Sequence, residues 1–180
     1  MRDLLLGGLA ALSAMVLAAG AEAHGPPRKK VEERVDINAP PEKVWGVLSN
    51  FHDMSWLPPV EKTEGPGGNA VDATRRLTLT GGATVDEVLH KYEPETMSYS
   101  YRITAVDVKV LPVTNYASTI AVEPGTGGKS VVVWRGAFYR GYPNNDPPPE
   151  LNDDAAIKAV TGLYRMGLDA LKAKIERSGS

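Results

Sequence analysis

The stretch Asn152–Arg177, NDDAAIKAVTGLYRMGLDALKAKIER, decides how the rest of the chain is read. Wound as a helix, it brings Ile157, Val160, Tyr164, Leu168, Leu171 and Ile175 onto one stripe, at the spacings of three and four that mark a single buried face. Asn152 is placed to cap the first turn. Asp153 and Asp154 suit the positive end of the helix dipole, and Lys172, Lys174 and Arg177 suit the other end. At ~1.5 Å of rise per residue the rod is about 37 Å long. An apolar stripe of that length must be laid against another element, and the chain before it consists mostly of short strand-like runs. The expectation is one curved antiparallel sheet holding a long C-terminal helix.

The earlier segments supply that sheet. From Val31 the pattern alternates, with Val31, Glu33, Val35 and Ile37 on one side. Pro40 and Pro41 then open a helix whose apolar face is Val44, Trp45 and Leu48. Asn50 to Leu57 suggests a second short helix, ended by Pro58 and Pro59. Strand-like runs follow at 60–64, 73–80, 84–92, 97–106, 115–122 and 130–140, separated by turn residues such as Gly81-Gly82 and Glu93-Pro94. The order is one strand, two short helices, about six more strands and the long helix, which implies an α+β fold with a sheet of about seven strands.

At the start of the chain, Arg2, the apolar run from Leu4 to Ala19 and the small-x-small pattern Ala21-Glu22-Ala23 read as a secretory signal over residues 1–23, cleaved after Ala23. The apolar run is shorter than the roughly 20 residues a membrane span needs. Residues 24–180 are then expected to form a single exported domain with no membrane span. The 180 residues carry 20 basic and 22 acidic side chains, a balance that argues against nucleic acid as a partner. With no cysteine, disulfides, thiolate metal ligands and thiol nucleophiles are excluded.

Alternation also identifies the inner face of the sheet. Arg75 shares parity with Leu77 and Leu79, and Glu87 shares it with Val85 and Leu89. One Arg and one Glu on strands joined by a tight turn therefore fall on the apolar side, where an isolated charge is too costly, so the two are expected to pair. Such a pair serves either as a structural device that fixes register or as the polar anchor of a ligand. The aromatic residues Tyr99, Tyr101, Tyr116, Trp134 and Phe138 fall on inner faces as well. They either fill the core or, with Trp56, line a small-molecule cavity. Gly162 and Gly167 are poor helix formers, and they serve either to leave room over such a cavity or to let a strand approach closely.

Other chemistry is sparse. His52 and His90 belong to no triad or metal pattern and read as solvated surface, and His24 would become the terminal residue after cleavage. Phosphate loops, His-Glu-x-x-His and calcium-loop patterns are absent from the sequence, as is the Gly-x-Ser-x-Gly elbow around Ser55 or Ser118. No catalytic residue, metal ligand or cofactor is assigned. The loop 141–151, entered through Tyr139 and Arg140, offers Tyr142 and Asp146 beside Pro147, Pro148 and Pro149. It is either a plain entry to the long helix or a docking loop of Tyr139, Arg140, Tyr142 and Asp146 for a partner protein.

Taken together, Ile37-Asn38-Ala39-Pro40-Pro41-Glu42-Lys43-Val44-Trp45, Thr74-Arg75-Arg76-Leu77-Thr78-Leu79, Glu87 after Gly81-Gly82, Tyr99-Ser100-Tyr101, Leu111-Pro112-Val113-Thr114-Asn115-Tyr116 and Trp134 resemble the START-like superfamily. It is also known as SRPBCC, Bet v 1-like or polyketide cyclase/dehydrase, and its architecture is the helix-grip fold. His24-Gly25-Pro26, Asp53-Met54-Ser55-Trp56 and the run 138–152 are most similar to its MxaD-like branch, periplasmic accessory proteins of bacterial methanol oxidation. That resemblance implies a non-catalytic helper in the periplasm, assisting electron transfer between methanol dehydrogenase and its cytochrome c. The fold alone suggests a carrier for a small hydrophobic ligand. A cyclase-like enzyme using Arg75, Glu87 and Tyr101 as acid and base is a third expectation.

Overall fold

The computed structural model describes residues 25–178. The expected signal over residues 1–23, and His24 with it, lies outside the described residues. Seven strands, β1 (Lys29–Ile37), β2 (Val60–Glu64), β3 (Thr74–Leu79), β4 (Thr84–Glu93), β5 (Ser98–Val106), β6 (Val113–Pro124) and β7 (Ser130–Arg140), form one antiparallel sheet. Its spatial order is β1-β7-β6-β5-β4-β3-β2. Helix α1 (Pro41–Leu48) follows β1, and helix α2 (Asp153–Arg177) closes the chain. This is the helix-grip arrangement, a curved sheet wrapped on the C-terminal helix.

Local chemistry sets the element ends. Pro41 occupies the first helical position of α1, where its missing N–H costs nothing. The second short helix over Asn50–Leu57 is not formed; the segment is a series of turns. Asn50 Oδ1 accepts from the His52 N–H and Asp53 Oδ1 from the Ser55 N–H, and side-chain bonds of this kind compete with a helical ladder. Met97 adopts the left-handed conformation, φ 48°, so β5 starts one residue later than alternation suggests.

Asn152 caps α2 as expected, its Oδ1 accepting from the Ala155 N–H at 2.8 Å. The buried stripe is Ala156, Val160, Tyr164, Gly167, Leu168, Leu171 and Ile175, while Ile157 is half-buried at its margin. One flank of α2 rides along the edge strand β1. Arg165 donates to the Arg34 carbonyl at 2.8 Å, Lys172 donates to the Asp36 carbonyl at 2.7 Å, and Glu176 accepts from the Asn38 N–H. These bonds also cover backbone groups that an open sheet edge would leave unpaired. Pinned to β1 and β7, α2 does not lie flat on β3, β4 and β5, and a cavity remains between them.

Candidate functional site

That cavity has a volume of about 680 Å³, within the range of roughly 300–1,000 Å³ found for small-molecule sites. Its floor is the inner face of β3 to β7, including Leu77, Leu79, Val85 and Ile103. Its roof is a second stripe of α2, formed by Ala155, Lys158, Ala159, Gly162, Leu163 and Met166. Val110 and Met166, each about two-fifths exposed at 40% and 42%, bring apolar surface out to solvent where the cavity opens.

Four of the eight residues expected to line a cavity do so: Glu87, Tyr101, Tyr116 and Trp134. The other four are displaced from its wall and serve as core. Tyr99 packs among Trp45, Phe51 and Tyr101. Phe138 stacks on Tyr116 from behind. Trp56 meets Trp134 edge-on at 5.5 Å. Arg75 lies beneath the wall, 1% exposed.

Arg75 and Glu87 are direct cross-strand partners on β3 and β4. The Arg75 Nε donates to Glu87 Oε2 at 2.6 Å, and its Nη1 donates to the Phe51 carbonyl. The guanidinium carbon sits over the Phe51 ring at 4.0 Å and near the Tyr101 ring at 5.0 Å, an attraction of cation to π face. Burial is the largest single influence and works against the Arg75 charge, but the Glu87 carboxylate, joined by Tyr99 and Tyr101, holds the guanidinium above its ordinary value. Burial pushes the Glu87 carboxyl up, against the opposing pull of Arg75. The Glu87 Oε1 accepts nothing from the described residues, and this side chain borders the cavity.

A hydroxyl cluster forms the other polar feature. Trp134 Nε1 is shared between Ser118 Oγ at 2.9 Å and the Tyr101 hydroxyl at 3.2 Å. Ser118 Oγ donates to the Arg135 carbonyl at 2.9 Å, Tyr164 bonds to Ser118 at 3.0 Å, and Tyr116 bonds to Tyr164. With Ser118 as donor to the carbonyl, the protons run one way: Tyr116 to Tyr164 to Ser118 to backbone. Burial raises the phenols of Tyr101, Tyr116 and Tyr164 above the ordinary tyrosine value. Tyr164 reaches this cluster because β7 carries Gly136, where an added Cβ would stand 2.2 Å from the Tyr164 hydroxyl.

Sequence reasoning placed Tyr164 only in the helix stripe and considered Ser118 only as a missing nucleophile. Of the roof it named only Gly162, offered as leaving room over a cavity, and Gly162 does border it with no atom within 4 Å of an added Cβ. The small residues Ala155, Ala159 and Gly162, spaced along one helical face beside the bulky buried stripe, carried the signal of the roof. His52 is half-buried where solvated surface was expected: its Nε2 bonds to the Thr74 carbonyl at 2.9 Å and its ring lies edge-on to Phe51. His90 is exposed. Among the described residues no group of three His, Cys, Asp or Glu side chains is placed to hold a metal ion.

The loop after β7 differs from a row of docking side chains. Arg140 is turned inward, its side chain 12% exposed; Nε donates to the Tyr142 carbonyl at 2.8 Å and Nη2 to the Asn144 carbonyl at 2.7 Å. It clasps its own loop, because those carbonyls have no strand partner. Tyr139 and Tyr142 are half-buried, with Arg28 stacked over the Tyr139 ring at 5.5 Å. Asp146 is exposed at the tip, in the left-handed conformation with φ 55°.

Set beside known proteins, residues 28–176 match the profile of a family described as polyketide cyclase / dehydrase and lipid transport. The solved structure of an uncharacterised protein from Bacillus thuringiensis is 31% identical, with a TM-score of 0.70 over 82% of this chain and 98% of that one. XoxI from Bacillus cereus is 30% identical, with a TM-score of 0.71 over 84% of this chain and 98% of its own. Norcoclaurine synthase from Thalictrum flavum, at 19% identity, shares the fold with a TM-score of 0.64 over 97% of this chain and 98% of its own. No curated protein matches the chain.

Proposed function

Because the chain belongs to the polyketide cyclase/dehydrase and lipid-transport family, we propose that it binds a small, largely apolar molecule between the sheet and α2 and carries it without transforming it. The observation that supports this reading is the cavity of about 680 Å³, apolar on most of its wall and open to solvent past Val110 and Met166. Its polar groups favour holding over chemistry. Tyr116, Tyr164, Ser118 and Trp134 satisfy one another, and Arg75, an acid/base candidate from the sequence, is kept off the wall by Glu87 and Phe51. Native mass spectrometry of the gently purified protein should reveal an apolar compound released on denaturation. Added hydrophobic probes should change the tryptophan fluorescence, since Trp134 borders the cavity. A protein with nothing bound, and with no response to any such probe, would sink the reading.

A second reading has one feature in its favour. The exposed tip around Asp146, with Glu150 and Asp154 also exposed, presents negative charge to a basic partner. Joined to the MxaD-like resemblance, it supports an accessory role in the periplasm beside methanol dehydrogenase and its cytochrome c. A pull-down at low salt should capture one of these proteins and lose it when Asp146, Glu150 and Asp154 are changed to Asn or Gln. Failure to capture either would remove the reading.

A further inference from the structure

Where the floor of the cavity passes from β4 to β5, two polar groups face it with complementary needs. Glu87 offers an oxygen, Oε1, that accepts from no described donor. Tyr101, a diagonal neighbour on the adjoining strand, has its oxygen partly engaged as the weaker acceptor of Trp134 Nε1, while its own proton meets no acceptor among the described residues. The two do not bond to one another. Both residues line the cavity with little exposure, Glu87 at 4% and Tyr101 at 2%, so whatever fills the cavity, water or ligand, is what these two atoms meet. A ligand that displaces water at these two atoms without bonding them forfeits those hydrogen bonds, and one group that answers both keeps them.

From this pair we infer that the ligand carries a hydroxyl, as an alcohol or phenol, that donates to Glu87 Oε1 and accepts from the Tyr101 hydroxyl. The inference rests on the cavity-binding reading above and names the ligand's chemical class. A hydroxyl is the simplest group that gives one proton and takes another at the same atom. A ligand ammonium matches the site less well. Arg75 already balances the Glu87 charge through the Nε–Oε2 contact, and an ammonium has no lone pair for the Tyr101 proton. A ligand carboxylate is disfavoured, because it would place a like charge beside the Glu87 carboxylate. The rest of the wall near this point, Leu77, Val85 and Ile103, asks for an apolar body.

The test compares three probes of one shape: para-butylphenol, butylbenzene and para-butylbenzylammonium, each titrated into the full protein by calorimetry and tryptophan fluorescence. The phenol should bind on the order of tenfold or more tighter than butylbenzene, since a site built to bond a hydroxyl rejects the analogue that lacks it. Tyr101→Phe, which keeps the ring and removes the donor, should shrink that preference to about threefold or less. Its affinity for butylbenzene should not change. Glu87→Gln, checked first for an intact thermal melt, should shrink it as well. Equal binding of phenol and butylbenzene to the wild-type protein would overturn the inference while leaving the cavity reading in place. Tightest binding of the ammonium would overturn it in favour of Glu87 as a plain anionic site. A preference that survives in both variants would place hydroxyl recognition elsewhere and overturn it too. Binding of none of the three would remove the cavity reading and the inference with it.

Discussion

At Gly167 an added Cβ would lie 2.8 Å from both Leu57 Cδ1 and Trp134 Cζ3, whereas at Gly162, earlier in the same helix, no neighbouring atom lies within 4 Å. The C-terminal half of α2 is pressed into the core through Leu168, Leu171 and Ile175 and tied to β1 by Lys172. The N-terminal half buries Ala156 and Val160 on one side and spans a space on the other, with Ala155, Ala159 and Gly162 above it. One helix thus does two jobs, and the same residue type serves opposite ends: close approach at one glycine, vacancy at the other. The walls beneath differ in kind as well. Under the open half stands a carboxylate held by a buried guanidinium; the packed half rests mainly on apolar side chains.

The comparison breaks first at that wall. Arg75→Ala leaves the Glu87 carboxylate buried beside an emptied space. Removing one partner of a buried pair costs about 3–5 kcal/mol, so chemical denaturation should show a loss of that size, with the midpoint falling accordingly. A loss below ~1 kcal/mol would mean that water reaches the pair freely. Next comes the packed half of the helix. Gly167→Ala forces Leu57 and the rings of Trp134 and Trp56 to shift, and overpacking of this kind costs typically about 1–3 kcal/mol. Helix propensity alone would favour the alanine, so a stabilised variant would show that the contact is loose.

How much of this was legible beforehand follows from the same contrast. The buried stripe of the helix is a matter of periodicity, and Val160, Tyr164, Leu168, Leu171 and Ile175 announced it. Strand parity placed Arg75 and Glu87 side by side, because a period of two leaves one inner face and a tight turn fixes which residues meet. Parity does not give depth. Tyr99 and Tyr101 share a face, yet one lies behind the wall and the other forms it, since Trp45 of α1 and Phe51 of the turn after it pack on Tyr99, a long-range contact that parity does not express. The turns at Asn50–Leu57 were misread because the apolar Phe51, Met54 and Leu57 have helical spacing, while Asn50 and Asp53 take the amides that a helix would need. Arg140 was read as a docking residue from composition alone, and its hydrogen-bond acceptors are backbone carbonyls, which carry no sequence signature, with Asp153 at 3.8 Å beside them.

Between the two halves of α2 sits Tyr164, stacked on Trp134 at 4.3 Å and bonded to Tyr116 and Ser118. Burial raises the phenols of Tyr99, Tyr101, Tyr116 and Tyr164 above the model-compound value of 10.0. A raised value means that the folded state keeps its proton longer than the unfolded chain. The associated stability is therefore fully present below about pH 10 and is lost as the pH climbs past it. Each such tyrosine adds about 1.4 kcal/mol of loss per pH unit in that window. Tyr116→Phe should flatten the alkaline slope of stability by about that amount and leave the slope at neutral pH unchanged. An unchanged alkaline slope would mean that the Tyr116 phenol ionises inside the fold.

The smallest effect lies at the open half, and it separates room from structure. Gly162→Ala adds a methyl group into empty space and removes the entropic penalty of glycine in a helix, so the protein should gain about 0.5–1 kcal/mol. Gly162→Leu should keep most of that gain in stability, because no packed atom lies within 4 Å of the added Cβ. It should also weaken binding of the butyl-substituted probes, because position 162 borders the cavity and a bulky side chain there narrows it. A thermal melt read beside a calorimetric titration distinguishes the two quantities. If Gly162→Leu destabilises the fold as Gly167→Ala does, the roof is packed and the two halves of the helix are alike. If it stabilises the fold and leaves probe affinity untouched, the ligand lies elsewhere along the floor, toward Tyr116 and Trp134.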